Sequence, residues 1–514
     1  MSYLIGTDIG TLGTKTVLIN VEGKILTSTF KEYNVLNPRP GWAEQWPEIW
    51  FQAVCETIKE CLQQTRVDPK DVIGLCISGL YGGSGVPCDR TVKPLRPCII
   101  WADRRATEEC REVRNALGRD EIFRITGNVI DPYFGYTKML WIKKHEDKIW
   151  KRIHQLVTPN AYCIYRLTGN LSVDYSSAGI YGGIFDIHKR TWSETMMDTL
   201  GIPRSFFPET ICKSKDVVGE LTRDGAQQTG LHQGTPITAG GIDAAVSALS
   251  VGALHDGDLA SMIGTSMCNG FISLNPRLSP KLINFPYVAW DEKALYSFGG
   301  INTAGYSVRW FRDQLGSADE RIAKQKGVST YQILDFEAEK TPCGADGLVF
   351  LPHLMVGERA PYWDDHIAGS LTGLTIYHTR GHIFRAVLEG VAYTLRYCIE
   401  TAQQAGFSIH RALLVNGGAK SKLWRNIITN VTGLAMMYLP NAIGAPLGDA
   451  LLAGVGVGIL PDYSVITEWL ETAEITHPTP TQKNFYDERY QAYREVYQAN
   501  SELFEKLVKY KLCE

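Results

Sequence analysis

The stretch "YLIGTDIGTLGTKTVLINVEGKIL" (residues 3–26) decides the fold. Leu4 and Ile5, then Val17, Leu18 and Ile19, read as two apolar strand segments, with a lone carboxylate, Asp8, between them in a bed of Gly and Thr. Gly23 marks a tight turn, and Lys24, Ile25 and Leu26 follow it. Glycine allows positive φ and close backbone approach, so a Gly/Thr turn can aim several N–H groups at one anion. Threonine hydroxyls add donors and Lys15 adds a positive charge. A carboxylate next to phosphates repels them unless a cation lies between, and magnesium is the usual bridge. From this turn alone, a strand with a bulge and a solvated Asp is an equal reading.

The design recurs further on. "ASMIGTSMCNGFISLNPRLS" (260–279) again has a strand-like run, Gly-Thr with small or hydroxyl residues, and a second apolar strand. Just before it, "PITAGGIDAAVSALSVGAL" (236–254) is a strand meeting a glycine pair and then a carboxylate. Two such hairpins half a chain apart suggest duplicated lobes, with a boundary near residue 247 and domains at 1–247 and 248–514. Short apolar strands alternate with helical patterns throughout, which predicts an α/β fold. "VIGLCISGLYGGSGVP" (72–87) reads as a buried strand entering a glycine-rich loop. Apolar spacing predicts helices over 47–65, 381–404 and 485–510. A third Gly-rich turn, "NGGAKSKLW" (416–424), follows the apolar "ALLV". No G-x-x-x-x-G-K-[ST] occurs, and "AGVGVGIL" (453–460) lacks dinucleotide spacing and reads as helix packing. Three turns capping strands in a two-lobed α/β chain favour nucleotide binding.

Composition sets the outer bounds. At 514 residues the chain is too long for one ordinary core, so two or three domains are expected. A hydrophobic share of 44% with 21% charged residues is that of a globular protein. The net charge of -3 gives no case for nucleic acid or an anionic membrane as partner. No apolar run reaches membrane-spanning length and no secretory signal is visible, so the expected location is the cytoplasm. The 12 cysteines form no C-x-x-C pair, which predicts reduced, buried thiols instead of a zinc site.

The residues taken together resemble the FGGY family of carbohydrate kinases from about residue 3 to about 460. The matching segments run in family order: "GTDIGTLGTK" (6–15), "PGWAEQWPEIW" (40–50), "RPCIIWADRRATEE" (96–109), "KMLWIKKH" (138–145), "GGIDAA" (240–245), "IGTSM" (263–267), "GSLTGLTIYHTRGHIFRAVLEGVAY" (369–393), "NGGAKSKLWRN" (416–426) and "GAPLGDALLAG" (444–454). "LPHLMVGERAPYWD" (351–364) points to the xylulokinase-like branch.

The resemblance implies two actin-like, ribonuclease-H-like α/β domains that bind ATP, magnesium and a sugar. It puts Asp8, Thr11, Gly13, Thr14 and Lys15 in a first phosphate turn, with Asp8 on the metal. Gly264, Thr265 and Ser266 form a second turn, and Gly305, Arg309, Gly417, Gly418 and Ala419 flank the nucleotide. Trp101 and Asp103 fall on the sugar side, whereas Arg105 is as readily a structural partner for nearby acids. Trp42 and Glu44 read as loop scaffolding, and His353 and His382 as structural. Family members often form dimers.

Asp243 matches the family's catalytic carboxylate. Phosphoryl transfer needs positioning and charge stabilisation above all, and a carboxylate beside the attacking hydroxyl can orient it and take its proton. Taken alone, an Asp before "AAVSAL" is more often a helix cap. Xylulokinases carry Gln-Met-His-Gly in the sugar loop; here "SGLYGGSGVP" (78–87) has Leu80 and Tyr81, and Gly82 in place of the His. The missing imidazole leaves kinase chemistry expected but opens the choice of acceptor: a ketopentose of the xylulokinase type first, with ribulose, erythritol or glycerol types behind it. Tyr81 offers a stacking face and a hydroxyl, or plain loop packing. A non-sugar actin-like ATPase and a silent sugar-binding regulator are the remaining alternatives.

Overall fold

Alternating apolar residues at the start of the chain produce three antiparallel strands, β1 (Tyr3–Ile9), β2 (Gly13–Asn20) and β3 (Ile25–Glu32). The computed structural model describes residues 1–289, 293–440, 442–470 and 472–511. β4 (Val72–Gly79) lies parallel beside β1, β5 (Val217–Glu220) is an edge strand, and β6 (Pro236–Thr238) runs parallel to β4. The sheet order is β5-β6-β4-β1-β2-β3. Its register sets Asp8 between Lys15 on β2 and Ser78 on β4.

Helices cover both faces of this sheet. The helix Pro47–Thr65 opens with proline, whose fixed φ suits a first turn, and it follows the predicted span. Ile5 and Ile9 pack in one core with its Trp50, Val54 and Ile58, and the Thr16 and Thr57 hydroxyls are bonded at 2.7 Å. The opposite face of β1 meets the apolar helix Ala445–Gly456. A Cβ at Gly6 would stand 1.9 Å from Pro446 O and 2.6 Å from Ala450 N, so only glycine admits the helix this closely.

The second unit repeats the plan. β7 (Asp258–Ile263) and β8 (Met267–Ser273) form the echo hairpin. β9 (Leu295–Ile301) neighbours β8, while β10 (Arg411–Val415), β11 (Met436–Tyr438) and β12 (Glu474–Thr476) extend the sheet beyond β7. β10 is parallel to β7, as β4 is to β1. The helix Arg380–Gln404 runs 25 residues and is buried along most of its length. The last helix, Pro480–Lys511, begins earlier than the expected 485 because Pro480 fits its first turn. Its tyrosine stripe, Tyr486, Tyr490 and Tyr493, is buried as packing.

Packing divides the described residues into two units. Met1–Asp256, Ile272–Ser297 and Ala442–Leu470 form the first, and the remainder form the second. Against the single boundary expected near 247, the chain therefore enters the second unit at Gly257 and twice returns to the first. Among the described helices, none is long and apolar enough to cross a membrane.

Candidate active site

In the first unit the Asp8 carboxylate has company. The Ser78 hydroxyl stands 3.4 Å from Asp8 Oδ1 and 2.7 Å from Asp449 Oδ2. The Cys76 thiol also faces Asp449, at 3.4 Å from Oδ1. Burial pushes the Asp8 carboxyl up to about 6, against the Ser78 hydrogen bond and the Lys15 charge, which pull it down. Asp449 is completely buried and pushed well above the carboxylate range, by burial first and by the Asp8 charge after it. Sequence reasoning quoted "GAPLGDALLAG" without singling out Asp449. The signal was a lone carboxylate in an otherwise apolar helix.

The first turn is tightly cross-braced. Gly10 N donates to Gly13 O at 3.0 Å, and the Tyr33 hydroxyl donates to Gly10 O at 2.7 Å. The Thr14 hydroxyl meets Tyr33 at 3.2 Å and is buried, so it braces the turn from inside. A Cβ on Gly13 would strike the Phe30 ring at 2.3 Å. Lys15 Nζ donates to Ile443 O at 3.1 Å, just ahead of the helix that carries Asp449. Trp101 Nε1 donates to Thr11 Oγ1 at 3.0 Å, which brings a residue expected on the sugar side onto the first turn.

Asp243 is the first residue of the helix Asp243–Leu249. Three contacts fix its backbone. Ile242 N donates to Ser176 Oγ at 3.0 Å, Ser176 is in turn held by Asp174, and Gly79 N donates to Gly241 O at 3.0 Å. Gly240 has φ of +69°, and a Cβ there would lie 2.0 Å from Ile77 O. The half-buried Asp243 carboxylate accepts from Ala244 N at 2.6 Å, a cap-like contact. After burial itself, the charges of Asp8 and, more weakly, Asp243 help to keep the Tyr33 phenol protonated.

The other sugar-side candidates are more enclosed. Asp103 is wholly buried: its oxygens accept from Ala43 N at 2.6 Å and from Arg105 N and Nε at 2.9 Å. Arg105 also pairs with Glu44 at 2.8 Å and lies 3.6 Å from the Trp42 ring centre. The pairing expected of Arg105 is thus what the structure has, and Asp103 anchors it. Tyr81 is buried against Tyr133, with ring centres 5.3 Å apart. A Cβ at Gly82 would sit 2.6 Å from Pro159 Cδ, so Pro159 fills the space where a histidine would project.

In the second unit three separate segments meet. Gly264 N donates to Ser266 O at 2.9 Å across the hairpin turn, while Gly305 N and Tyr306 N donate to Gly264 O and Thr265 O, each at 3.0 Å. A Cβ on Gly305 would come within 2.3 Å of Gly264 O. Two first-turn amides of the helix Ala304–Leu315 are therefore spent on holding the turn. Asn416, with φ of +73°, abuts Gly264. Gly418 packs on Ile263 and Trp424, Ala419 is buried, and the Cβ direction of Gly417 is open. Arg309 is exposed and faces Asp313 at 3.5 Å. His353 is buried and bonded to the buried Glu358 at 3.0 Å. His382 bonds with Thr379 at its own helix start. None of the described cysteines is joined in a disulfide.

Comparison with known proteins gives the chain its family. Residues 3–250 match the N-terminal domain of the FGGY family of carbohydrate kinases, and residues 259–457 match its C-terminal domain. The chain is 32% identical to the xylulose kinase of Bacillus subtilis (strain 168), over 98% of each protein. It is 29% identical to the gluconokinase of the same organism, over 91% of this chain and 90% of that one. The structure of ligand-bound xylulose kinase from Lactobacillus acidophilus superposes with a TM-score of 0.90 at 26% identity, covering 99% of this chain and all (100%) of that one. The chain belongs to the FGGY family of carbohydrate kinases, with that family's actin-like, two-domain α/β fold.

Proposed function

We propose that this kinase transfers the γ-phosphoryl group of ATP to a hydroxyl of a ketopentose, with Asp243 as the base. The observation that carries the reading is the setting of Asp243. It stands half-buried at a helix start fixed by Ser176 and the Gly240–Gly241 corner, and its charge, like that of Asp8, is felt at Tyr33 on the first turn. As the oxygen–phosphorus bond forms and the bond to ADP breaks, the hydroxyl proton passes to the Asp243 carboxylate. Asp8, Ser78 and Asp449 supply hard oxygen atoms at a buried position where ionising a carboxyl is costly, a donor set that suits a divalent cation. Magnesium bound there would offset the charge of the phosphates. The Gly264–Ser266 turn, with Gly305 and Gly417–Ala419 around it, serves the nucleotide.

The ketopentose assignment draws on the xylulose kinases among the relatives. The Gly82–Pro159 contact favours a second reading, in which the acceptor is another sugar, a sugar acid or a polyol, because a histidine contact cannot form there. ADP release measured with D-xylulose, D-ribulose, gluconate, erythritol and glycerol separates the two. Turnover strongest with a ketopentose is expected. ATP hydrolysis indifferent to every acceptor would overturn the proposal.

A further inference from the structure

The motif "LPHLMVGERAPYWD" (351–364) has so far served only as a family marker. In the second unit it wraps the corner between β9 and the helix Ala304–Leu315. Gly300 N donates to Ala360 O at 2.9 Å. The Thr303 hydroxyl bonds to Pro352 O and accepts from Leu354 N at 3.2 Å, and the Ser307 hydroxyl reaches Pro352 O at 3.3 Å. Asn302 is held at two points: its backbone N–H donates to Glu358 Oε2 at 3.0 Å, and its Nδ2 donates to Gly357 O at 3.1 Å.

Glu358 is the centre of this wrapping. It is 1% exposed, and its carboxylate accepts from His353 Nδ1 at 3.0 Å as well as from Asn302 N. His353 is itself wholly buried, wedged against the Tyr362 ring at 4.8 Å, and its Nε2 has no hydrogen-bond partner among the described residues. Enclosing a carboxylate and an imidazole this completely is expensive, whereas packing alone would be served by apolar groups. What the pair holds is the residue three places ahead of Gly305. The next two amides after the corner, Gly305 N and Tyr306 N, then hold the carbonyls of Gly264 and Thr265.

We propose that Glu358, oriented by His353, is a positioning residue for nucleotide binding, because it fixes Asn302 and so sets the amides that shape the Gly264–Ser266 turn. The inference rests on the reading of that turn as the nucleotide site. It assigns the motif a task distinct from sugar recognition: loss of the clamp loosens ADP and ATP and leaves the acceptor site, in the other unit, as it was.

The test is ADP affinity by titration calorimetry, with KM for ATP and for the acceptor, in four variants of the full chain. Glu358→Gln is expected to weaken ADP at least tenfold while KM for the acceptor stays within twofold. His353→Asn places an amide N–H where Nδ1 stands and is expected to keep ADP affinity near wild type. His353→Leu fills the space without the donor and is expected to lose affinity as Glu358→Gln does. A purely structural histidine would give the reverse order, or a parallel loss for both substrates, and either result would overturn the proposal. Should Glu358→Gln fail to fold, the two His353 variants decide. Gly305→Ala reports on the underlying reading. If it weakens ADP and the Glu358 and His353 variants do not, the clamp is wrong and the site stands; if none of the four changes ADP affinity, both fall.

Discussion

The β1–β2 and β7–β8 hairpins share a plan: each first strand has an antiparallel partner on one side and a parallel neighbour on the other. At the penultimate position of β1 stands Asp8, between Lys15 and Ser78. The same position of β7 holds Met262, between Cys268 and Val415. One backbone design thus carries two chemistries. The first gathers acid groups, with Asp449 brought up from beneath, and suits a cation. The second is free of acid at that register and ties its turn carbonyls to the amides of Gly305 and Tyr306. The turn's geometry comes from glycine and hydrogen bonding, while its local charge comes from the residues beside the strand that leads into it.

The sharpest break in this comparison is expected at Asp243. Asp243→Asn should lower kcat by roughly two to four orders of magnitude while ADP affinity, which we assign to the second hairpin, stays nearly intact. Turnover within tenfold of wild type would end the base assignment. Next in size is Asp8→Asn, expected to raise the magnesium requirement by about 10- to 100-fold or more, as measured by magnesium titration of the rate.

The pH profile follows from the same residue. With its carboxyl near 6, Asp8 is ionised above that value and protonated below it, so activity at low magnesium should fall as pH drops through about 6. A cation binds the ionised form, so more magnesium should move this limb to lower pH. Profiles of kcat/KM at two magnesium concentrations test it, and a limb indifferent to magnesium would take Asp8 out of the metal site. The smallest effect is expected at the second hairpin, from Gly305→Ala. Its methyl group meets Gly264 O at 2.3 Å, and strain of about 1–3 kcal/mol translates to a rise in KM for ATP of roughly tenfold to a hundredfold, with kcat little changed.

How far the sequence foretold this site depends on the distance between partners. The hairpins, the helix at 47–65 and the corner before Asp243 are local patterns of period and glycine, and they appear where expected. Arg105 was legible as a structural cation because acids lie close to it in sequence. Asp449 was not, since its partner Ser78 is 371 residues away and nothing local ties them. Asp103 looked available for a substrate, and only the three-dimensional closure of Ala43 and Arg105 around it shows both oxygens engaged. The Thr14 hydroxyl, read as a phosphate donor, faces Tyr33, a pairing set by strand register. The His353–Glu358 clamp was hidden in the same way, because its object, Asn302, lies 56 residues upstream of Glu358.

The close seat of Gly6 on the helix Ala445–Gly456 has a consequence for biogenesis. The inner side of β1 is covered by a segment that follows it by about 440 residues, from Gly6 to Pro446. All of those residues must be made before the strand can be sealed, so the nascent chain carries an uncovered apolar sheet face while they are translated. A premature stop ahead of residue 445 would leave that face bare and yield an aggregating fragment in place of a working half-enzyme.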